Sequence, residues 1–162
     1  MRSRAASPKD AEAIARIYNA GIEERIATFE THLRTAGDIQ PWFDDGFPIV
    51  VVEEGKTVLS FANMSAYSSR ECYSGVAEFS VYTAGEARGR GAGALAMEAL
   101  ISAAEEAGFW KLTSRVFVEN GPSLKLLLSL GFREVGVHEK HARLDGLWRN
   151  VVIVERLIPA NL

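Results

Sequence analysis

The chain has 162 residues, of which 48% are hydrophobic and 24% charged, with a formal net charge of −3. These values are typical of one globular domain with a substantial core, so we expect a single domain over residues 1–162. Nucleic acid is not an expected partner because the chain lacks a long basic run. A membrane is not expected either, since no apolar run approaches the ~20 residues of a spanning helix and the start shows no signal-peptide pattern. The single Cys72 agrees with a reducing compartment and argues against a cysteine metal site, so we expect a cytoplasmic protein that binds no metal.

The first part of the chain predicts a strand, two helices and a hairpin. Residues 2–6 predict a short strand, and Ser7, Pro8 and Asp10 form a helix start, because a hydroxyl cap, a fixed φ and an early negative charge favour a helix N-terminus. The helix extends to residue 22, and residues 35–43 suggest a second, short helix. Residues 49–64 predict a β-hairpin that turns at Gly55.

Two polar connections in this part carry candidate site residues. Residues 25–32 have no sustained periodicity and read as a loop, in which Phe29 and Glu30 line a substrate pocket or Phe29 instead fills the core. Residues 65–74 form the second connection. Its Arg70 is either a solvated arginine or a carboxylate-binding group, for which the guanidinium fork is well suited.

The centre of the chain combines a strand, a glycine loop and a helix. Residues 76–83 alternate as a strand, residues 88–93 read Arg-Gly-Arg-Gly-Ala-Gly, and an apolar-periodic run then ends at Gly108 as a left-handed cap. Glycines let backbone N–H groups approach a ligand, and the helix dipole adds positive charge, which favours a phosphate or pyrophosphate. The predicted buried face of the helix consists of Ala92, Leu95, Ala96, Ala99, Leu100, Ala103 and Ala107.

The last part predicts a strand, a helix and a final hairpin. Residues 111–118 form the strand, Asn120 or Gly121 caps the helix, and its expected buried residues are Leu124, Leu127 and Leu128. Residues 135–144 and 150–157 pair around a turn at Asp145-Gly146. The order βααββ, βα, βα, ββ indicates one sheet with helices on both faces.

Alternative interpretations compete for the glycine loop. Gly89-x-Gly91-x-x-Ala94 matches the dinucleotide fingerprint of Rossmann proteins, but residues 84–88 separate it from the strand and the remaining chain is too short for the other strands. A glycine-rich turn without a ligand is a second interpretation. Arg88-x-x-Gly91-x-Gly93 resembles the pyrophosphate-binding motif of the GCN5-related N-acetyltransferase (GNAT) superfamily, which uses acetyl-coenzyme A (acetyl-CoA).

Further motifs extend this resemblance over nearly the whole chain. Asn120-x-x-Ser123 and Gly131-Phe132 agree with the acetyltransferase core. Five short motifs resemble those of the phosphinothricin and methionine sulfoximine N-acetyltransferases: Tyr18-Asn19, Thr28-Phe29-Glu30, Arg70-x-x-Tyr73, Glu78-x-Ser80-Val81-Tyr82 and Gly146-x-Trp148. The resemblance implies the GNAT fold of the α/β (α+β) class, with a mixed central sheet of about seven strands and helices on both faces. It also implies a homodimer.

The resemblance implies roles for individual residues. It assigns cofactor binding to Val81, Tyr82, Thr83, Arg88, Gly89, Arg90, Gly91, Ala92, Gly93, Asn120 and Ser123. The acceptor, a small amino-acid-like amine, would contact Phe29, Glu30, Arg70 and Tyr82. Glu78 is the candidate base, because a protonated amine has no nucleophilic lone pair and Glu78 shares a strand face with Ser80 and Tyr82. A solvated carboxylate is the alternative for Glu78.

Three positions depart from the family pattern. Leu127 stands where many relatives carry a Tyr or His that protonates the leaving thiolate, Ser68 replaces an arginine near Arg70, and Trp148-Arg149-Asn150 replaces Trp-x-Asp. The rival functions are a GNAT enzyme for a polyamine or a protein N-terminus, a non-catalytic acyl-CoA binding module, and a nucleotide-dependent oxidoreductase. Trp148 is either an anchor of the dimer interface or a core residue of the monomer.

Overall fold

A computed structural model describes residues 1–162 of the chain. Seven strands form one sheet in the order β1-β2-β3-β4-β5-β7-β6. The strands are β1 (Arg2–Ala5), β2 (Ile49–Glu54), β3 (Thr57–Ala66), β4 (Val76–Thr83), β5 (Lys111–Phe117), β6 (Arg133–Leu144) and β7 (Leu147–Leu157). The helices are α1 (Ala11–Glu24), α2 (Ala36–Ile39), α3 (Ala92–Glu106) and α4 (Gly121–Ser129). Only β4 and β5 are parallel neighbours, which confirms the predicted mixed sheet.

Local sequence signals set the helix boundaries. The backbone N–H of Ser7 donates to the Asp10 carboxylate at 2.8 Å, immediately before α1. The Asn120 side chain accepts from the N–H of Ser123 at 3.3 Å, which caps α4. Gly108 has a φ of +90°, as expected for the left-handed residue that ends α3. These contacts position the loops that precede and follow the strands.

Helices cover both faces of the sheet, as predicted. On one face Tyr18 of α1 stacks on Tyr82 of β4, with ring centroids 5.1 Å apart, and both rings adjoin Phe61 of β3. On the other face α3 lies so close to β4 that a Cβ at Gly93 would approach Thr83 Oγ1 to 3.1 Å. A side chain at residue 93 would therefore require Thr83 to shift by a few tenths of an ångström. None of the helices combines the length and apolar character needed to span a bilayer.

The buried faces of α3 and α4 differ from the predicted ones. The fully buried residues of α3 are Ala92, Ala96, Met97, Leu100 and Ala104, whereas Ala107 is exposed. The prediction relied on alanines, which also favour helix formation on exposed faces and so do not mark the core side. In α4 Leu127 is buried but Leu128 is 46% exposed, since the short helix turns only one edge to the core.

The final hairpin is longer than predicted and lies at the edge of the sheet. Its strands begin at Arg133 and Leu147 instead of residues 135 and 150. β6 is an edge strand with a bulge between His138 and Ala142. Trp148 is 54% exposed, with the guanidinium of Arg143 4.9 Å from its ring centroid. The interpretation of Trp148 as a core residue is therefore wrong.

Candidate active site

The parallel strands β4 and β5 diverge halfway along β4. They pair only at Val76–Lys111, Ala77–Leu112 and Glu78–Thr113. Beyond this point Ser114 Oγ donates to the carbonyl of Phe79 at 2.9 Å, and residues 80–83 pair with β3 on one side only. One edge of β4 is therefore free to pair with an extended ligand. We call this gap the β4–β5 cleft, and its lining includes Val81, Tyr82, Ser114, Asn120, Ser123 and Leu127.

The glycine loop presents a row of free donors beyond the end of β4. The backbone N–H groups of residues 89–94 make no hydrogen bond within the protein. Gly89 and Gly91 have φ values of +75° and +87°, where an L side chain is strained, and a Cβ at either residue meets nothing within 4 Å. Free N–H groups at the N-terminus of α3, together with its dipole, are the groups with which a helix can bind an anion such as a pyrophosphate.

Both arginines of the loop are held by carboxylates. Arg88 pairs with Glu24 at the end of α1. Arg90 Nη2 lies 2.9 and 2.8 Å from the two carboxylate oxygens of Glu54 on β2, and this contact lowers the pKa of Glu54. Exposed pairs of this kind contribute little to stability. A phosphate competes for the same guanidinium donors, so these arginines can exchange a carboxylate partner for a ligand.

A cavity of about 310 Å³, here the central cavity, opens on the face of β4 that carries Glu78 and Tyr82. Phe29 and Glu30 from the loop after α1 form its opposite wall. The structure therefore brings four of the predicted site residues together. Ser80 and Tyr82 line both this cavity and the β4–β5 cleft, so the two spaces meet at β4. The volume suits a small ligand, since ligand pockets span roughly 300–1,000 Å³.

Glu78 and Tyr82 differ in what they can do chemically. Arg115 Nη2 donates to Glu78 Oε1 at 3.3 Å, while Glu78 Oε2 makes no hydrogen bond within the protein. Burial raises the pKa of the Tyr82 hydroxyl far above its usual range, and Tyr18 adds to the shift. Tyr82 therefore stays protonated at neutral pH and does not act as a base. Glu78 is the group on this wall that can accept a proton.

Arg70 does not line the central cavity. Its guanidinium lies 5.7 Å from the ring centroid of Tyr73. Tyr73 lines a side cavity of about 400 Å³ that shares Glu78 and Arg115 with the central cavity. Arg70 is thus connected to the site through Tyr73, and its predicted contact with the acceptor stays a prediction.

Phe29 combines the two interpretations that its sequence context left open. It lines the central cavity and also packs edge-on against Phe117, with ring centroids 4.7 Å apart, beside a small buried cluster. Sequence reasoning missed Ser114, Arg115 and Phe117, which line the cavity from β5. Thr113 and Arg115 are polar residues two positions apart in this strand, so they lie on one face. This alternation could have predicted a polar, functional face of β5.

Comparison with known proteins identifies the family. The model of the Acetyltransferase (GNAT) family matches residues 14–132. The chain belongs to the GNAT family. YwnH of Bacillus subtilis is 32% identical over 160 residues, which cover 96% of this GNAT chain and 98% of YwnH. The phosphinothricin N-acetyltransferase of Streptomyces coelicolor is 28% identical, with 91% of each chain covered. The L-methionine sulfoximine/L-methionine sulfone acetyltransferase of Pseudomonas aeruginosa is 27% identical, covering 94% of this chain and 91% of that protein.

Solved structures agree with this assignment. The ribosomal-protein-alanine N-acetyltransferase from Brucella melitensis superposes with a TM-score of 0.93 at 28% identity, over 98% of this chain and all of that one. A GNAT phosphinothricin acetyltransferase from Sinorhizobium meliloti, in complex with acetyl-CoA, gives a TM-score of 0.89 at 26% identity, over 96% and 87% of the two chains. The predicted GNAT fold is confirmed, and the protein is an acetyl-CoA-dependent acetyltransferase.

Proposed function

We propose that this GNAT enzyme acetylates the amine of a small amino-acid-like compound of the phosphinothricin or methionine sulfoximine type. The observation that carries the proposal is the junction of the β4–β5 cleft and the central cavity at Ser80 and Tyr82, on the face that also presents Glu78. A donor extended along β4 and an amine in the central cavity meet at this junction. The names of the Streptomyces and Pseudomonas relatives support an amino-acid-like acceptor.

The free edge of β4 is the proposed binding site for the pantetheine arm of acetyl-CoA. Val81 and Thr83 offer backbone groups that β5 leaves unpaired, whereas the Tyr82 carbonyl faces β3 and accepts from Ser60 Oγ at 2.8 Å. Tyr82 also lines the cleft. The pyrophosphate is assigned to the free N–H groups that follow Arg88, from Gly89 through Arg90, Gly91, Ala92 and Gly93. Asn120 and Ser123 line the opposite side of the cleft, where the Asn120 amide is fixed by its capping hydrogen bond.

The chemistry requires removal of a proton from the acceptor before attack. Glu78 accepts this proton through its free oxygen, directly or through water, and the neutral amine attacks the thioester carbonyl. A backbone N–H near Val81 or Tyr82 stabilises the negative charge that develops on the carbonyl oxygen. The nitrogen of the tetrahedral intermediate loses its surplus proton to solvent, the C–S bond breaks, and the thiolate leaves. The fully buried Leu127 lines the cleft and offers no proton, so the thiolate departs without an acid at that position.

The acceptor is assigned to the wall formed by Phe29, Glu30 and Tyr82. Its carboxylate extends towards the side cavity, where Arg70 stacks on Tyr73. If Arg70 binds this carboxylate, Arg70→Ala raises KM for amino acids and leaves simple amines nearly unaffected. Equal losses for both substrate types would make Arg70 a structural residue.

A screen of amine acceptors with detection of the released thiol tests the function. The panel contains methionine sulfoximine, phosphinothricin, their decarboxylated analogues, a polyamine and a peptide with an N-terminal alanine. The peptide is included because a ribosomal-protein-alanine N-acetyltransferase is among the structural neighbours. We expect the highest kcat/KM for the amino acids. A preference for the peptide or the polyamine would replace the proposed acceptor class, and absence of turnover with every amine would show that the acceptor belongs to none of these classes.

A homodimer is the proposed assembly. The final hairpin exposes Val135, Val137, Leu147 and Trp148 by 47%, 55%, 64% and 54%. Large aromatic side chains concentrate binding energy at interfaces, so Trp148 is the proposed anchor. Sedimentation of the protein at micromolar concentration should show a dimer, and Trp148→Ala should shift it towards monomer. A wild-type monomer under these conditions would contradict the assignment.

A further inference from the structure

Arg149 on β7 carries a mostly buried guanidinium that contacts both sides of the active site. Only 19% of its side chain is exposed. Its Nη2 is within 3.5 Å of the carbonyl oxygen of Arg25, the first residue of the loop that carries Phe29. Its Nη1 lies 3.7 Å from the carboxylate of Glu119, immediately before the Asn120 cap. The guanidinium therefore lies between the loop of the central cavity and the loop of the β4–β5 cleft.

The same guanidinium supports an aromatic wall of the central cavity. It lies 5.6 Å from the ring centroid of Phe117, within the range of a cation–π contact. On the cavity side, Phe117 packs edge-on against Phe29. Displacing Arg149 would thus remove support from Phe29 at two points, the start of its loop and the ring on which it rests.

The start of this loop is held at a second point. Arg25 ends α1 in the left-handed region, with a φ of +62°, and its Nε lies 3.3 Å from the Asp145 carboxylate in the turn of the final hairpin. The hairpin therefore holds Arg25 through Arg149 at its carbonyl and through Asp145 at its side chain. The wall of the central cavity is tied to an element that follows it by more than a hundred residues in the chain.

The electrostatics of this contact favour a positioning role over a stabilising one. Arg149 Nε and Arg25 Nη1 are buried nitrogen atoms without a hydrogen-bond partner. Burying an unpaired polar group costs free energy. The carboxylate of Glu119 is half exposed, so its ion pair with Arg149 contributes little stabilising free energy. The contacts of Arg149 therefore compensate its burial only in part, and what they fix is the start of the loop and the Phe117 ring.

We propose that Arg149 is a positioning residue for the acceptor: it holds Phe29 against the central cavity by fixing the Arg25 carbonyl and backing Phe117. The proposal rests on the function proposed above, because the central cavity is taken to hold the acceptor. Arg149 touches neither the glycine loop nor the free edge of β4, and its contact on the donor side is the long pair with Glu119 at 3.7 Å. The Asn120 cap is made to the N–H of Ser123 and does not involve Arg149, so the substitution should alter acceptor binding far more than donor binding.

The experiment compares Arg149→Met with Arg143→Met. The control removes an arginine from the same hairpin that stacks on the exposed Trp148 instead of Phe117. We expect Arg149→Met to raise the acceptor KM by about tenfold or more, with kcat and the Kd for acetyl-CoA changed by less than about threefold. Hydrogen exchange of residues 25–32 should be faster in Arg149→Met than in wild type, and unchanged in Arg143→Met.

The acceptor KM and the hydrogen exchange together distinguish a positioning role from general destabilisation. A structural role alone lowers the folded fraction, which reduces the maximal rate at an unchanged acceptor KM; this result, or unaltered exchange in residues 25–32, would overturn the proposal. If Arg149→Met does not fold, Arg149→Lys keeps the charge and loses the planar fork, and it should raise the same KM by a smaller factor. Hydrogen exchange needs no acceptor, so a wrong acceptor class, shown by the wild-type screen, is distinguishable from a wrong role for Arg149.

Discussion

Substitution of Gly91 by aspartate tests the glycine loop most selectively, because charge and backbone strain can be separated. Gly91 has a φ of +87° and open space where a Cβ would stand. Gly91→Asp and Gly91→Asn introduce side chains of nearly the same size, and both types tolerate the left-handed region at a cost of roughly 1–2 kcal/mol. The two variants share this strain and differ by one negative charge. The difference between their acetyl-CoA affinities therefore isolates the electrostatic contribution.

The expected size of this difference follows from Coulomb's law. A carboxylate about 5 Å from a phosphate charge in water is repelled by about 0.8 kcal/mol, and the two charges of a pyrophosphate give about 1.5 kcal/mol. Since 1.4 kcal/mol corresponds to a factor of ten, Gly91→Asp should bind acetyl-CoA about tenfold more weakly than Gly91→Asn. The factor should shrink at high salt, because the loop is exposed.

Titration calorimetry with acetyl-CoA measures the two affinities, and circular dichroism establishes that both variants are folded. Gly46→Asp is the matched control, because Gly46 is also left-handed, with a φ of +78°, has open space around its Cβ position and lies outside the glycine loop. It should bind acetyl-CoA as the wild type does. Equal affinities of folded Gly91→Asp and Gly91→Asn at low salt would refute the placement of the pyrophosphate at this loop.

Three further predictions follow from the site and the core. Glu78→Gln should keep the acetyl-CoA affinity but lower kcat at neutral pH on the order of 10²-fold. An unaltered pH–rate profile would show that water or another residue is the base. Bidentate hydrogen bonds from Arg4 hold the pKa of Asp10 below its usual range, so this stabilisation is present above about pH 4 and is lost as the pH falls. In urea titrations Asp10→Asn should lower the free energy of unfolding by about 1–3 kcal/mol at pH 7, and its difference from wild type should disappear in acid; a constant difference would contradict the linkage. Gly75→Ala would place a Cβ 2.0 Å from the Trp110 ring and force the ring to shift, so it should destabilise by about 1–3 kcal/mol, measured as a lower Tm; an unchanged Tm would contradict this packing.

Local patterns in the sequence predicted the elements that form the donor side of the site. The alternation of residues 76–83 identified β4, and the glycines and the periodic run behind them identified the loop and α3. These signals are short-range: a left-handed backbone at residue 91 favours glycine whatever surrounds it. For the same reason the Asn120 cap of α4 was predictable.

The acceptor side depends on contacts that local patterns do not encode. The divergence of β4 and β5 after Glu78 arises from sheet geometry, and nothing in either strand marks it. Arg115, Phe117 and Arg149 come together because β5 pairs with β7, whose residues follow much later in the chain. The contact of Arg149 with the Arg25 carbonyl is a tertiary contact of the same kind. The position of Arg70 outside the central cavity likewise depends on how its loop packs on Tyr73.

The proposed reaction is transfer of the acetyl group of acetyl-CoA to the α-amine of an amino-acid-like compound. The most direct measurement is mass spectrometry of the product, together with kcat/KM for methionine sulfoximine and for its decarboxylated analogue. We expect a product with one acetyl group on the amine and a kcat/KM at least about tenfold higher for the amino acid, since loss of the carboxylate removes a charge-assisted contact. Equal or higher kcat/KM for the decarboxylated analogue, or no acetylated product from either compound, would contradict it.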